Sequence, residues 1–158
     1  MGLRKILTDK EPALHKVCKK VEKFDWRLHK LLDDMRETLI DSNGVGLAAP
    51  QVGILRRVVL VDTGEEIIEL VNPELLETDG EQVGAEGCLS VPGKYGLVKR
   101  PYYAKVRAQD RFGAWYEAEG EEIVARCFCH ELDHLDGVLY TQVMERYLTE
   151  EELNADEE

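Results

Sequence analysis

The sequence predicts an α+β domain in which antiparallel β-sheets pack around a central helix, with an amphipathic helix nearer the N-terminus. Three observations predict this class. Leucines recur at helical spacing in the first third of the chain, β-branched runs flank turn residues in the middle, and a second helical pattern lies between residues 123 and 137. Helices and strands that occur in separate runs favour an α+β domain over a parallel α/β fold.

The first helix is predicted by an apolar stripe that repeats every three or four residues. Its members are Leu28, Leu31, Leu32, Met35 and Leu39. Asp25 precedes the stripe as a candidate N-cap, and Asn43-Gly44 follows it as a stop signal. We expect this helix to pack on the core and to carry no chemistry.

The strands are predicted as two hairpins. Residues 57–62 and 66–71 are apolar or β-branched and flank a turn, and Asn72-Pro73 closes the second run. Residues 103–109 and 115–118 flank a second turn that ends in glycine. Hairpins of this kind give antiparallel pairing.

The second helix carries the residues with the clearest chemistry. Ile123, Cys127, His130 and His134 fall on one stripe, and Gly137 stands where a left-handed C-cap would end the helix. Two histidines four residues apart lie one above the other, so both imidazoles can reach one metal ion. Glu131, next to the first histidine, is placed to act on a water molecule at that metal.

A catalytic site of this type usually has three protein ligands, so a third is expected. The candidates are another histidine, a carboxylate or a cysteine. Cys127 shares the histidine stripe and could line the site, whereas Cys129 points to the other side of the helix. Cys88 lies in a glycine-rich segment that we expect to be irregular, where backbone can come close to a ligand.

The length and charge of the chain indicate how many domains it has and which partners it disfavours. At 158 residues it forms one domain most simply, and the net charge of -12 argues against nucleic-acid binding through a broad basic surface. Residues 150–158 contain six acidic residues and no basic one. We therefore expect a catalytic domain over 1–149 and a frayed acidic tail over 150–158.

The location is expected to be the cytoplasm. The chain does not open on an apolar run of signal-peptide length, and no stretch approaches transmembrane length. Four cysteines without a signal peptide indicate a reducing compartment.

Three segments together resemble the motifs of the peptide deformylase family, in the same order along the chain. They are GVGLAAPQ at 44–51, EGCLS at 86–90 and HELDH at 130–134. The family commonly has Met where Leu132 stands, which nearly conserves volume. The segment 44–51 also fits a dinucleotide-binding fingerprint, but it follows a helix instead of a strand, and we interpret it as a tight loop.

The resemblance implies a metal-dependent hydrolase that removes the formyl group from the N-formylmethionine of newly made polypeptides and releases formate. It implies metal ligation by Cys88, His130 and His134, with Glu131 moving the proton. It also implies that the Gln51 side-chain amide and the backbone N–H of Leu89 donate to the oxyanion.

The substrate is expected to lie along the same motifs. Val45, Ile123 and Cys127 are the best-placed apolar residues for the methionine pocket, and Arg126 is expected either at its rim or as a surface charge. The substrate backbone is expected to pair in a strand-like manner with two segments of the chain, Val45-Gly46 and Gly87 to Leu89.

One divalent metal ion per chain is implied as the cofactor. Iron is expected in vivo, and a thiolate with two imidazoles also suits zinc, nickel or cobalt. The implied partners are N-formylmethionyl nascent peptides, with transient ribosome association and neither direct nucleic-acid nor membrane binding. Some family members dock on the ribosome by a basic C-terminal extension, which the acidic tail here does not match.

Two other functions compete with this interpretation. An endopeptidase of the His-Glu-x-x-His type would leave 44–51 unexplained and seldom has a cysteine ligand. A structural metal module would need a fourth protein ligand, and an inactive binding module would typically lack Glu131.

Overall fold

A computed structural model describes residues 2–155, which form two antiparallel sheets and three α-helices. The helices are α1 (Trp26–Ser42), α2 (Ile123–Leu135) and α3 (Glu150–Ala155). The strands are β1 (Gly46–Ala48), β2 (Val58–Asp62), β3 (Ile67–Asp79), β4 (Gln82–Cys88), β5 (Val91–Arg100), β6 (Tyr103–Gln109), β7 (Trp115–Glu121) and β8 (Arg146–Tyr147). The predicted mixed fold with antiparallel sheets is confirmed.

The larger sheet has the order β1-β2-β3-β6-β7, and the smaller one has the order β4-β5-β8. Every strand pair in both sheets is antiparallel. Helix α2 follows β7 directly and packs against β1, β2, β6 and β7 of the larger sheet.

The alternation of side chains along β2 explains how both helices are held. Val59 and Val61 belong to a buried cluster that includes Phe128 of α2. Val58 and Leu60 face the other way, into a cluster with the leucine stripe of α1. The edge of the larger sheet is therefore covered by a helix on each face, as the two-residue period of a strand permits.

Helix α1 begins and ends at residues suited to those positions. The Asp25 carboxylate accepts hydrogen bonds from the backbone N–H groups of Arg27 and Leu28, which otherwise have no partner in the helix. Asn43 ends the helix in the left-handed conformation, with φ of 56°.

Strand β3 is longer than the sequence predicts, because Asn72-Pro73 does not end it. The register shifts between Val71 and Glu74, so the two residues form a bulge and the strand continues to Asp79. A bulge accommodates the proline, which cannot donate to the ladder. Asn72 has φ of 51°, and its side chain bonds the backbone of Val21.

The segment expected to be irregular around Cys88 instead forms a hairpin. Cys88 ends β4, residues 89–90 form the turn, and β5 returns alongside. Gly87 lets the ring of Tyr95 pack close to the strand, since a Cβ atom at this position would lie 2.6 Å from the ring and would displace it. The expected loop at 44–51 likewise contains a strand, β1, and a 3-10 helix, Ala49–Val52.

The tail differs from the expected frayed segment over the part that the structure describes. Thr149 Oγ1 accepts from the backbone N–H of Glu152, and the Glu152 carboxylate accepts two bonds from Arg146. This cap and ion pair stabilise α3, which composition does not predict. Residues 156–158 lie outside the described residues.

Among residues 2–155, no helix combines the length and the apolar character needed to cross a membrane.

Candidate active site

Helix α2 brings the two predicted histidines together in the interior. His134 is fully buried and His130 is 6% exposed, and their facing Nε2 atoms lie 3.2 Å apart. The hairpin β4–β5 adds Cys88, whose Sγ lies 3.3 Å from His134 Nε2. Two distant segments thus place three candidate ligand atoms within 4.8 Å of one another.

The chemistry of this cluster fits a divalent metal ion. Two ring nitrogens and a sulfur that converge on one point match the ligand types that bind zinc or ferrous iron. Burial lowers the pKa of His134, which favours the neutral imidazole that a ligand must be. Three protein ligands also leave room in the coordination sphere for a small molecule.

Glu131 lies beside this cluster, and one of its carboxylate oxygens accepts no hydrogen bond from the described residues. The residue is 3% exposed, and within residues 2–155 its buried Oε1 atom has no hydrogen-bond partner. Burial raises the pKa of the Glu131 carboxyl to about 7. A carboxylate in this state can take up and release a proton near neutral pH.

Gly46 of β1 makes space for Glu131. A Cβ atom at Gly46 would collide with the Glu131 carboxylate and would lie 2.7 Å from Cys127 Sγ. Glycine is therefore the residue that lets β1 approach α2 this closely.

Gln51 is oriented by its own loop. Its Oε1 accepts from the backbone N–H of Ala48 at 2.9 Å, which leaves the amide nitrogen to point away from that contact. The Nε2 atom lies 3.1 Å from Ser90 Oγ and 3.6 Å from Cys88 Sγ. A neutral donor is thus fixed next to the candidate metal cluster.

A cleft of about 410 Å³ opens above these groups. It is lined by Val45, Gly46, Gln51, Gly87, Cys88, Leu89, Ile123, Cys127, His130 and Glu131. Every predicted site residue lies in this lining except His134, which is buried below it. Val45 and Ile123 are 49% and 62% exposed and stand at the mouth, whereas Cys127 is buried at 5%.

Glu86 is a buried residue of the site that sequence reasoning missed. Its carboxylate contacts His130 Nδ1 and accepts bonds from Arg100 and Arg126. Burial alone would raise the pKa of Glu86, but hydrogen bonds from His130 and Arg100 outweigh it and lower the pKa to about 2. The ionised carboxylate therefore fixes the orientation of the His130 ring.

Arg126 is buried and lines the cleft, as the first of its two expected positions had it, and is not a surface charge. It is 9% exposed, and its Nη1 donates to Glu86 at 2.8 Å and to the carbonyl of Val98 at 3.1 Å. Glu86 could have been suspected, because it is the acidic residue two positions before Cys88. Arg100 carried no such signal, since only the folded hairpin brings it to Glu86.

A mixed α/β fold with a buried Cys/His/His cluster, a neighbouring carboxylate and an open cleft defines a metal-dependent hydrolase. Comparison with known proteins gives the family. Residues 3–149 match the family described as polypeptide deformylase. The chain belongs to this family.

Individual relatives agree along nearly the full chain. A peptide deformylase of Caldicellulosiruptor bescii is 54% identical over 97% of this chain and 92% of its own length. One of Agathobacter rectalis is 56% identical over 92% of both chains. The crystal structure of peptide deformylase from Thermotoga maritima superposes with a TM-score of 0.89 at 41% identity, covering 92% of this chain and 99% of that one.

Proposed function

We propose specific roles for the cleft residues in the reaction that the family performs. The chain is a metal-dependent hydrolase that removes the N-formyl group from the N-formylmethionine of newly made polypeptides. The observation that carries our assignment of roles is the convergence of Cys88, His130 and His134 within 4.8 Å, beside a buried glutamate.

Cys88, His130 and His134 hold one divalent metal ion. Such an ion supplies Lewis acidity and lowers the pKa of water from 15.7 to roughly 7. We propose ferrous iron as the ion used in vivo, with zinc, nickel and cobalt as substitutes that the same ligand types accept.

Glu131 moves the proton. Its carboxylate takes a proton from the attacking water as the new carbon–oxygen bond forms at the formyl carbon. It then gives that proton to the departing nitrogen as the carbon–nitrogen bond breaks, so that formic acid and a free α-amine leave. The unsatisfied Oε1 of Glu131 supports this role, because it leaves an acceptor free for a water molecule.

Gln51 and Leu89 stabilise the oxyanion. The Gln51 amide is held by Ala48 with its N–H groups toward the candidate metal cluster. The backbone N–H of Leu89, in the turn after Cys88, supplies the second donor. Preorganised donors of this kind stabilise the developing charge without reorganising during the reaction.

The methionine side chain occupies the apolar part of the cleft formed by Val45, Ile123 and Cys127. The peptide backbone runs between the segment Val45-Gly46 and Gly87. Adding a strand between two exposed backbone segments is a common way to bind an extended peptide.

The substrate class gives the cellular setting. Since nascent peptides are made in the cytoplasm, we propose that the enzyme works there and meets its substrates at the ribosome in transient encounters. The acidic α3 is not expected to support such encounters with RNA, because its charge has the same sign as phosphate. We propose residues 1–149 as the catalytic domain.

Formate release tests the assignment. The purified, metal-loaded enzyme should release formate from formyl-Met-Ala-Ser and should neither deacetylate acetyl-Met-Ala-Ser nor cleave casein. Cleavage of casein without formate release would instead indicate a metallopeptidase. Stoichiometric metal with no reaction on any of the three substrates would indicate a structural metal protein.

A further inference from the structure

A second groove lies on a different part of the molecule from the active cleft. Its volume is about 960 Å³, and it is formed by the segment 19–23, the start of α1 and the segment 53–58. We call it the basic groove. Its floor is apolar and consists of Val21, Leu28, Leu31, Ile54, Leu55 and Val58. None of these residues lines the active cleft.

Among residues 2–155, six cationic side chains and two acidic ones line the basic groove. The cations are Arg4, Lys19, Lys20, Lys23, Arg27 and Arg56, and the acids are Glu22 and Asp25. Arg4 pairs with Asp34, and Arg27 pairs with Asp25. The three lysines are exposed, and within residues 2–155 none of them has a carboxylate partner within 4.0 Å.

This concentration of positive charge is unusual in so acidic a protein. Residues 1–57 contain 12 Lys and Arg against 8 Asp and Glu, whereas residues 58–158 contain 8 against 24. Although the net charge of the chain is -12, residues 1–57 carry a net positive charge, and they contribute all six cations named above as lining the groove. Local potentials of this kind, and not net charge, determine where a polyanion binds.

An exposed aromatic residue is next to the groove lining in the chain, although it does not itself line the groove. Trp26, the first residue of α1, is 66% exposed, and the Arg27 guanidinium lies 5.0 Å from its ring centroid. Trp26 lies in the chain between two residues of the groove lining, Asp25 and Arg27. Cations that follow a groove, together with an open aromatic face, are the features that bind single-stranded nucleic acid.

We propose that the basic groove binds single-stranded RNA, with phosphates on Lys19, Lys20, Lys23 and Arg56 and a base stacked on Trp26. The exposed aromatic ring favours RNA over a stretch of Asp and Glu residues, whose side chains have no ring to stack. The proposal departs from the expectation of no direct nucleic-acid binding, which was drawn from the charge of the whole chain and stays a prediction until the two are tested.

The basic groove adjoins the active cleft along the chain. Gln51 lines the cleft, and Gly53 and Ile54 of the same segment line the groove. Because one residue spans at most about 3.6 Å, the Cα atoms of Gln51 and Ile54 are no more than roughly 11 Å apart. The lining of the active cleft and the lining of the basic groove are therefore joined by a short stretch of chain.

Fluorescence anisotropy with a labelled oligouridine of about twelve nucleotides tests the proposal. The wild-type, metal-loaded enzyme should bind it with an affinity that falls steeply as salt is raised. The variant Lys20→Gln/Lys23→Gln should bind about tenfold more weakly. Its salt slope should fall by about 1.4, because each phosphate that a lysine neutralises on a single strand contributes about 0.7. Trp26→Ala should weaken binding at least about fivefold with the slope unchanged.

Lys99→Gln/Lys105→Gln is the charge-matched control, because it removes the same charge from two lysines on β5 and β6 outside the groove, of which Lys99 is exposed and Lys105 half-buried. It should bind RNA as the wild type does, and all variants should deformylate formyl-Met-Ala-Ser at the wild-type rate. Equal weakening in the control, or no salt-dependent binding by the wild type, would overturn the proposal. An oligoglutamate of equal charge that competes as well as RNA would overturn it in favour of an acidic protein partner.

Discussion

Nδ1 of His130 contacts the buried carboxylate of Glu86, while Nε2 of the same ring faces His134 at 3.2 Å. The two ring nitrogens of His130 thus have different roles. The first is held by a carboxylate that Arg100 and Arg126 also hold, and the second is free to bind a metal ion. A histidine fixed in this way keeps one tautomer and one ring orientation.

Glu86→Asp separates this orienting role from the role of the charge. Aspartate keeps the negative charge opposite Arg100 and Arg126, but its shorter side chain withdraws from His130. We expect metal affinity to fall by about 10- to 100-fold while the fold persists. Metal titration with circular dichroism on the same samples measures both properties.

Glu74→Asp is the control for Glu86→Asp, because Glu74 is an exposed glutamate that pairs with Arg107. It should leave metal affinity unchanged. Equal metal affinity in Glu86→Asp and the wild type would show that Glu86 does not orient His130.

Cys88→Ser should release the metal, since an alcohol is a poor substitute for a thiolate. Cys127→Ser and Cys129→Ser are the controls and should retain it, because neither sulfur belongs to the three-atom cluster. Elemental analysis after gel filtration gives the metal content. Loss of metal from either control, with Cys88→Ser intact, would mean that a different cysteine is the ligand.

Gly46→Ala should reduce turnover while leaving metal content unchanged. The added methyl group collides with the Glu131 carboxylate and not with a metal ligand. Gly64→Ala is the control. A methyl group at Gly64 would meet no neighbouring atom, and the φ of 94° confines the backbone strain of this substitution to the β2–β3 turn. Formate release should fall in Gly46→Ala and not in Gly64→Ala. Normal turnover of Gly46→Ala would show that a side chain at this position does not disturb Glu131.

Removal of residues 150–158 should leave the deformylation of short formylated peptides within about twofold of wild type, since no described residue of α3 lines the active cleft. The kcat and KM for formyl-Met-Ala-Ser test this. Arg146→Gln in the full chain is the control that loosens α3 without shortening it. A large loss of turnover would mean that the tail supports the catalytic domain.

Local sequence patterns predicted helices α1 and α2 and the facing of the two histidines well, for physical reasons. The leucine stripe of α1 and the four-residue spacing of His130 and His134 are properties of one continuous segment. The capping of α1 by Asp25 is equally local.

Contacts between distant segments were harder to predict. The β4–β5 hairpin is rich in glycine and lacks a strong alternating pattern, so its strands were not recognised. The Glu86–Arg100 and Glu86–Arg126 pairs depend on how that hairpin packs on α2. Likewise, the net charge of the whole chain gave no indication of the basic groove, because the groove forms only when the segments 19–23 and 53–58 fold together.

The central claim is that Glu131 moves the proton and does not hold the metal, and Glu131→Gln tests it most directly. Metal content and formate release should be measured on the same sample, with Glu117→Gln as an exposed control. We predict full metal occupancy with formate release lower by about 10²- to 10⁴-fold. Formate release within a few-fold of wild type, in a folded and metal-loaded Glu131→Gln variant, would contradict the account.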